Sequence, residues 1–177
     1  MGDSPVQHHA ADEDADAILR RRIAELIDVS EADVLVGRAC PRCGSSRHGR
    51  PWARVPGRGD EVSVSLSRAG PHLVTAVTTE GAIGVDIESV AAVDAGWDPG
   101  LVLHLDEAGL DTGPGRRAAL WCGKEAILKA LGVGLATPMS TIRLADHPVL
   151  ELPAPPGYRV ACVIVAGGSG RGGSSVR

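Results

Sequence analysis

Residues 81–88 read GAIGVDIE, and the alternation in this stretch decides how the chain around it folds. Ile83, Val85 and Ile87 fall on every second position, with Gly84, Asp86 and Glu88 between them. Side chains of a strand point to opposite faces in turn, so the aliphatics face a core and the two acids share the other face. Along one face their Cα atoms lie roughly 6.5–7 Å apart, close enough for both carboxylates to converge on one cation. Hard oxygen ligands of this kind suit Mg2+, which keeps waters and takes substrate phosphate oxygens as further ligands. For these eight residues alone, an amphipathic strand with a solvated acidic face is the plainer reading.

Two strand-like runs precede this one, EVSVSLS at 61–67 and HLVTAVTTE at 72–80. Before them a loop rich in Cys, Gly, Pro and Arg covers residues 40–60, and VSEADVLVGRA at 29–39 reads as a cap followed by a short strand. Residues 16–28 predict a helix, with Leu19, Ile23, Leu26 and Ile27 on one stripe and Arg20 to Arg22 largely outside it. Downstream, residues 90–115 look irregular, with one short helix near Leu101. A second long helix is expected over about 116–131, ended by Gly132 and Gly134. STIRLAD, VLELP and YRVACVIVAG then read as a three-stranded meander. The expectation is an α+β chain of two similar halves, 15–88 and 89–166, between a disordered leader at 1–14 and a disordered tail at 167–177.

Composition narrows the function. The chain has 177 residues, 44% hydrophobic and 23% charged, enough for a core in one domain or two joined halves. With three Trp, one Tyr and no Phe, aliphatic residues must fill that core. A net charge of -4 supplies no basic field for nucleic acid. No apolar run reaches the ~20 residues of a membrane span, and the polar, acidic start lacks a signal-peptide pattern. Four cysteines do not form a disulfide framework at this length, and the cytoplasm is the expected compartment.

The only two lysines of the chain lie in WCGKEAILKALG, residues 121–132; elsewhere cations are arginines. On a helical wheel Leu120, Trp121, Ile127, Leu128 and Leu131 form an apolar arc, with Lys124 near its middle. An ammonium there must reach an anion or the rim of a cleft, because burying it unpaired is costly. Glu125 sits at the arc's edge, and Lys129 lies four residues on, where it could simply pair with Glu125. Taken with Asp86 and Glu88, this set can hold a metal and a polyphosphate together.

GVDIE followed by WCGKEAILKALGVGL resembles the paired signature of the 4′-phosphopantetheinyl transferases of the surfactin-synthetase type. The matching positions are Gly84, Asp86, Glu88, Trp121, Lys124, Glu125, Ala126, Lys129 and Gly132. CPRCGSSRHGRP at 40–51 is similar to a further run of that family. The resemblance implies two α+β halves packed as an intramolecular pseudodimer, with coenzyme A in the cleft between them. It implies transfer of the 4′-phosphopantetheine arm from coenzyme A to a serine of an apo acyl or peptidyl carrier protein, with release of 3′,5′-ADP. Such carriers serve polyketide, nonribosomal peptide and fatty acid synthesis, and the enzyme is expected to be a monomer.

By the same resemblance Asp86, Glu88 and Glu125 hold Mg2+, Glu125 is the candidate base, and Lys124 and Lys129 lie near the phosphates. Gly49, Arg50 and Pro51 face the nucleotide, and Ser65 and Ser67 occupy positions that touch coenzyme A. Leu66 stands where the family usually has a histidine on the 3′-phosphate, and the chain is shorter at its start than family members generally are. A catalytically weak relative that binds coenzyme A or a carrier protein is the alternative. Cys40, Cys43 and His48 have the spacing of three zinc ligands without a fourth, so a tight turn placing Gly49–Pro51 is expected there instead of a metal.

Overall fold

Strand β6, Ala82–Ser89, is the strand expected from the alternation, but both of its faces are covered. Ile83, Val85 and Ile87 are fully buried against Val74, Ala76, Val160 and Cys162. The opposite face, which carries Gly84 and Asp86, lies beneath a long helix and is buried as well. The solvated acidic face is therefore not what forms.

The structure, a computed structural model, describes residues 4–40, 42–58, 62–134 and 137–166. β1 (Val6–Ala10) leads through α1 (Ala15–Ile27) to the hairpin β2 (Leu35–Ala39) and β3 (Arg50–Arg54), then to β4 (Ser63–Ala69) and β5 (His72–Thr78). β6 is followed by α2 (Val90–Ala95), α3 (Pro99–Val102), α4 (Pro114–Leu131), β7 (Val149–Leu152) and β8 (Tyr158–Val165). β1, β4 and β5 form one antiparallel sheet in the order β1-β5-β4, and β6, β7 and β8 form another in the order β6-β8-β7. Each sheet places its last strand between its first and its middle one, and each is packed by one long helix, α1 or α4. The mixed α+β class is the one expected, and the two sheets repeat one topology.

Several local expectations are corrected. Residues 6–10 do not lie in a disordered leader; they pair with β5 from Val6↔Ala76 to Ala10↔His72. Their polar sequence, VQHHA, hid an edge strand of which only Val6 is buried. β3 lies inside the expected loop, paired residue for residue with β2. STIRLAD forms 3-10 turns at Met139–Thr141 and Leu144–Asp146 instead of a strand. β6, placed at the end of the expected first half, pairs with β8 and so shares a sheet with β7 and β8. On α1 the buried stripe includes Arg22, while Leu26 is 49% exposed. The expected tail at 167–177 lies outside the described residues.

The helix boundaries follow their caps. Asp14 accepts from the amides of Asp16 and Ala17 at the start of α1. Pro114 opens α4, where its missing N–H is no loss. Gly132 closes α4 in the left-handed region at φ 72°, and Val133 N donates to Leu128 O in a Schellman-type stop.

Candidate functional site

The two sheets meet where β4 lies beside β6, and they meet through side chains. Ser63, Ser65 and Ser67 alternate along β4. The Ser63 hydroxyl accepts from Ile83 N (3.0 Å) and the Ser65 hydroxyl from Val85 N (3.1 Å). The third serine changes role: Ser67 donates to Asp86 Oδ1 at 2.7 Å. Period two on β4 thus continues a row of backbone bonds into a bond that aims a buried carboxylate.

Helix α4 supplies the other wall. A Cβ at Gly84 would stand 1.9 Å from Ala126 O and 2.6 Å from Ala130 N, so only glycine lets α4 pack this closely on β6. That approach brings Lys129 Nζ to 2.6 Å from Asp86 Oδ1 and 3.2 Å from Val85 O. The Cys122 thiol, deep in α4, donates to Asp86 O at 3.1 Å and fixes the main chain of the same residue. Asp86 is held at both its backbone and its carboxylate.

One atom is left over. Asp86 Oδ2 is buried and has no hydrogen-bond partner among the described residues. A buried carboxylate oxygen without a partner is unfavourable and points to a ligand. The surrounding charges agree. Burial and the charges of Asp86 and Glu125 push Glu88 up to about 7 against the pull of Lys129. Burial and Asp86 raise Glu125 in the same way. Three acids that repel one another, one of them with an orphaned oxygen and a lysine on its other oxygen, fit a divalent cation such as Mg2+. The three are not drawn tightly together, however. Among the described residues the trio whose ligand atoms all lie within 4.8 Å of one another is Cys40, Cys43 and His48.

Lys124 is not brought to this cluster. Its ammonium is fully buried and pairs with Glu107 at 2.5 Å. It also donates to the carbonyls of Val102, Ile142 and Met139 at 2.7, 2.7 and 3.2 Å. Glu107 accepts in addition from His104 N and Leu144 N. Burial pushes Glu107 up, but those amides and Lys124 outweigh it and hold the carboxyl below its ordinary value. The role expected for Lys124 beside phosphates is therefore corrected to an internal ion pair that ties residues 102–107 and 139–144 to α4. Glu107 was not foreseen from the sequence. The one signal was Lys124 itself, whose place in the apolar arc required an anion.

The remaining positions divide. The Ser65 hydroxyl is engaged with Val85, and both Ser65 and Ser67 are buried, so they hold β6 and Asp86 where contact with coenzyme A was expected. Leu66 points away from them and packs on the cores built around Leu19 and Ile18 of α1. Arg50 and Pro51 line an open cleft of about 1800 Å³ bounded by the β2–β3 hairpin, the start of β4, and Ala82 and Gly132. Gly49 stands just outside that lining at φ 108°, where a Cβ would meet Ala39 O at 2.4 Å. The Arg50 guanidinium lies over Gly132, three residues beyond Lys129. Asp86, Glu88 and Glu125 do not line the cleft.

A family model, the 4′-phosphopantetheinyl transferase superfamily, matches residues 82–153 of the chain. The matched segment begins with β6, includes the whole of α4, and carries Asp86, Glu88, Glu125 and Lys129. No curated protein matches the chain. Among the described residues no helix is long and apolar enough to cross a membrane.

Proposed function

We propose that the protein is a Mg2+-dependent 4′-phosphopantetheinyl transferase, which moves the phosphopantetheine arm of coenzyme A to a serine of an apo acyl or peptidyl carrier protein. The observation that carries this reading is the orphaned Oδ2 of buried Asp86, flanked by Glu88, Glu125 and Lys129 in a segment similar to that superfamily. Asp86, Glu88 and Glu125 would hold the ion. When bound there it neutralises charge on the diphosphate and polarises the phosphorus under attack.

The chain's own residues supply position and proton transfer. Ser67 and Lys129 fix one oxygen of Asp86 and leave the other without a partner among the described residues. Lys129, partly exposed, adds a compact cation beside the phosphates. Glu125, raised by burial and by Asp86, is the carboxylate suited to take the proton of the attacking serine. The serine oxygen forms a bond to the phosphorus that bears pantetheine, the P–O bond to the second phosphate breaks, and 3′,5′-ADP leaves. The nucleotide end of coenzyme A would occupy the cleft lined by Arg50 and Pro51, with the Gly49 backbone at its edge. Lys124 takes no part in the reacting group. We place the protein with the surfactin-synthetase type, as a cytoplasmic monomer built as a pseudodimer, on the paired motifs and the repeated sheet order.

The test incubates the full chain with coenzyme A, Mg2+ and an apo carrier protein, and weighs the carrier by intact mass. Gain of one phosphopantetheine arm, lost when Mg2+ is chelated, is the expected result. A second reading, a coenzyme A or carrier-binding relative without transfer, is favoured by Leu66 in the place of a phosphate-binding histidine. Retained coenzyme A binding with no mass gain on several carriers would establish that reading and overturn the first.

A further inference from the structure

The loop at the tip of the β2–β3 hairpin takes no part in the acid cluster, yet it brings together three side chains of metal-ligating type. Cys40, Cys43 and His48 each offer a ligand atom within 4.8 Å of the other two. Cys43 Sγ and His48 Nε2 stand 3.4 Å apart. Zinc bonds of about 2.3 Å to sulfur and about 2.0 Å to nitrogen, set at a tetrahedral angle, put those two atoms roughly 3.5 Å apart.

The backbone is already shaped around the first cysteine. Gly44 N donates to Cys40 O at 2.9 Å, and Cys40 N donates to Ser45 O at 3.0 Å, which closes the turn. Gly44 and Gly49, both at positive φ, permit the reversals on either side of the turn. At its base the loop is pinned by the Ala39↔Arg50 pair and by the approach of Gly49 to Ala39 O. Cys43 and His48 are exposed and Cys40 half-buried, so an ion can reach all three.

We propose that Cys40, Cys43 and His48 bind a Zn2+ ion through two thiolates and one imidazole nitrogen, leaving the fourth position open to solvent. Two thiol protons are released as the two Zn–S bonds form. The ion closes the loop that precedes Gly49, Arg50 and Pro51 and so sets the lip of the cleft. This proposal departs from the metal-free turn expected from the sequence, on the convergence of the three ligand atoms. The inference does not depend on the reaction proposed above.

The test uses the full chain, reduced, stripped of metal and reloaded with Zn2+ alone or Co2+ alone. Elemental analysis is expected to find one zinc per chain, retained in Asp86→Asn and lost in Cys43→Ser and in His48→Ala. Co2+ is expected to give a thiolate-to-cobalt charge-transfer band on the unaltered chain, a signal the carboxylates cannot produce. That readout stands even where a cysteine variant fails to fold. Zn2+ is further expected to slow trypsin cleavage after Arg42 and Arg47 several-fold. No charge-transfer band, zinc retained equally in Cys43→Ser, or a Cys40–Cys43 disulfide in protein prepared with reductant would each overturn the proposal.

Discussion

Helices α1 and α4 each pack on one of two sheets of the same order, and each brings a cation to its sheet, yet the two cations, buried Arg22 and partly exposed Lys129, differ in what they meet. Arg22 of α1 donates to Thr75 O and Oγ1 and to the carbonyls of Ser4 and Pro5, which binds β1, β5 and α1 into one unit. Lys129 of α4 meets a carboxylate that keeps a second oxygen, buried and without a partner. A buried cation surrounded by carbonyls joins elements together. An acid left half-used beside a cation is a place for something else to bind. α4 contains both kinds, since Lys124 resembles Arg22 in its surroundings and Lys129 does not.

The largest effect expected from breaking this contrast is at Asp86. Asp86→Asn should lower Mg2+-dependent transfer by about 10²–10³-fold or more, with little change in melting temperature, because it removes a ligand and a repulsive charge together. Steady-state kinetics beside a thermal melt checks it, and a destabilised protein with normal turnover would reverse the assignment. Lys124→Met is the mirror case. It leaves Glu107 and three carbonyls without their ammonium and should cost about 3–5 kcal/mol of stability in urea unfolding. Adding Glu107→Leu to it should recover much of that loss, since the uncompensated charge is gone. Gly84→Ala comes next, at about 1–3 kcal/mol, with turnover lowered as well because α4 carries Glu125 and Lys129. Unchanged kinetics in that variant would mean the close approach matters for folding alone.

The smallest effect sharpens the comparison through pH. In chelator, Glu88 holds its proton up to about 7 in the folded chain, against an ordinary value of 4.5. The folded state then binds more protons than the unfolded one between those values, so stability should fall as pH rises through that window. Mg2+ should flatten the slope by favouring the ionised carboxylates, and Glu88→Gln should reduce it, leaving the part that Glu125 contributes. Denaturant midpoints at several pH values, with and without Mg2+, measure this; a slope of opposite sign would contradict it.

How much of this was legible beforehand depended on the range of the interaction. β6 was read from its own alternation, and α4 from its periodicity and closing glycines, since both are local. The pairing of Asp86 with Lys129 was within reach of the motif but not its geometry, because Lys129 had an equally good partner in Glu125 on its own helix. Glu107 was not legible, as nothing in its surrounding sequence states that an ammonium from α4 will be buried on it. The turns at 139–146 went wrong for the same reason. Their alternating Thr141, Ile142, Arg143 and Leu144 suggest a strand, but the carbonyls of Met139 and Ile142 and the amide of Leu144 are taken by the Lys124–Glu107 pair. β1 was missed because an edge strand buries too little to show a pattern.

The serines between β4 and β6 have a mechanical consequence. Two sheets joined by hydroxyl rotors can slide by small amounts at the expense of a few torsions, whereas a continuous ladder would have to break as a row. Displacement along that boundary carries Ser67 with it, and with Ser67 the orientation of Asp86. Deuterium uptake at the amides of Ile83 and Val85 therefore reads out, one position at a time, how firmly the first sheet steers the chemistry of the second.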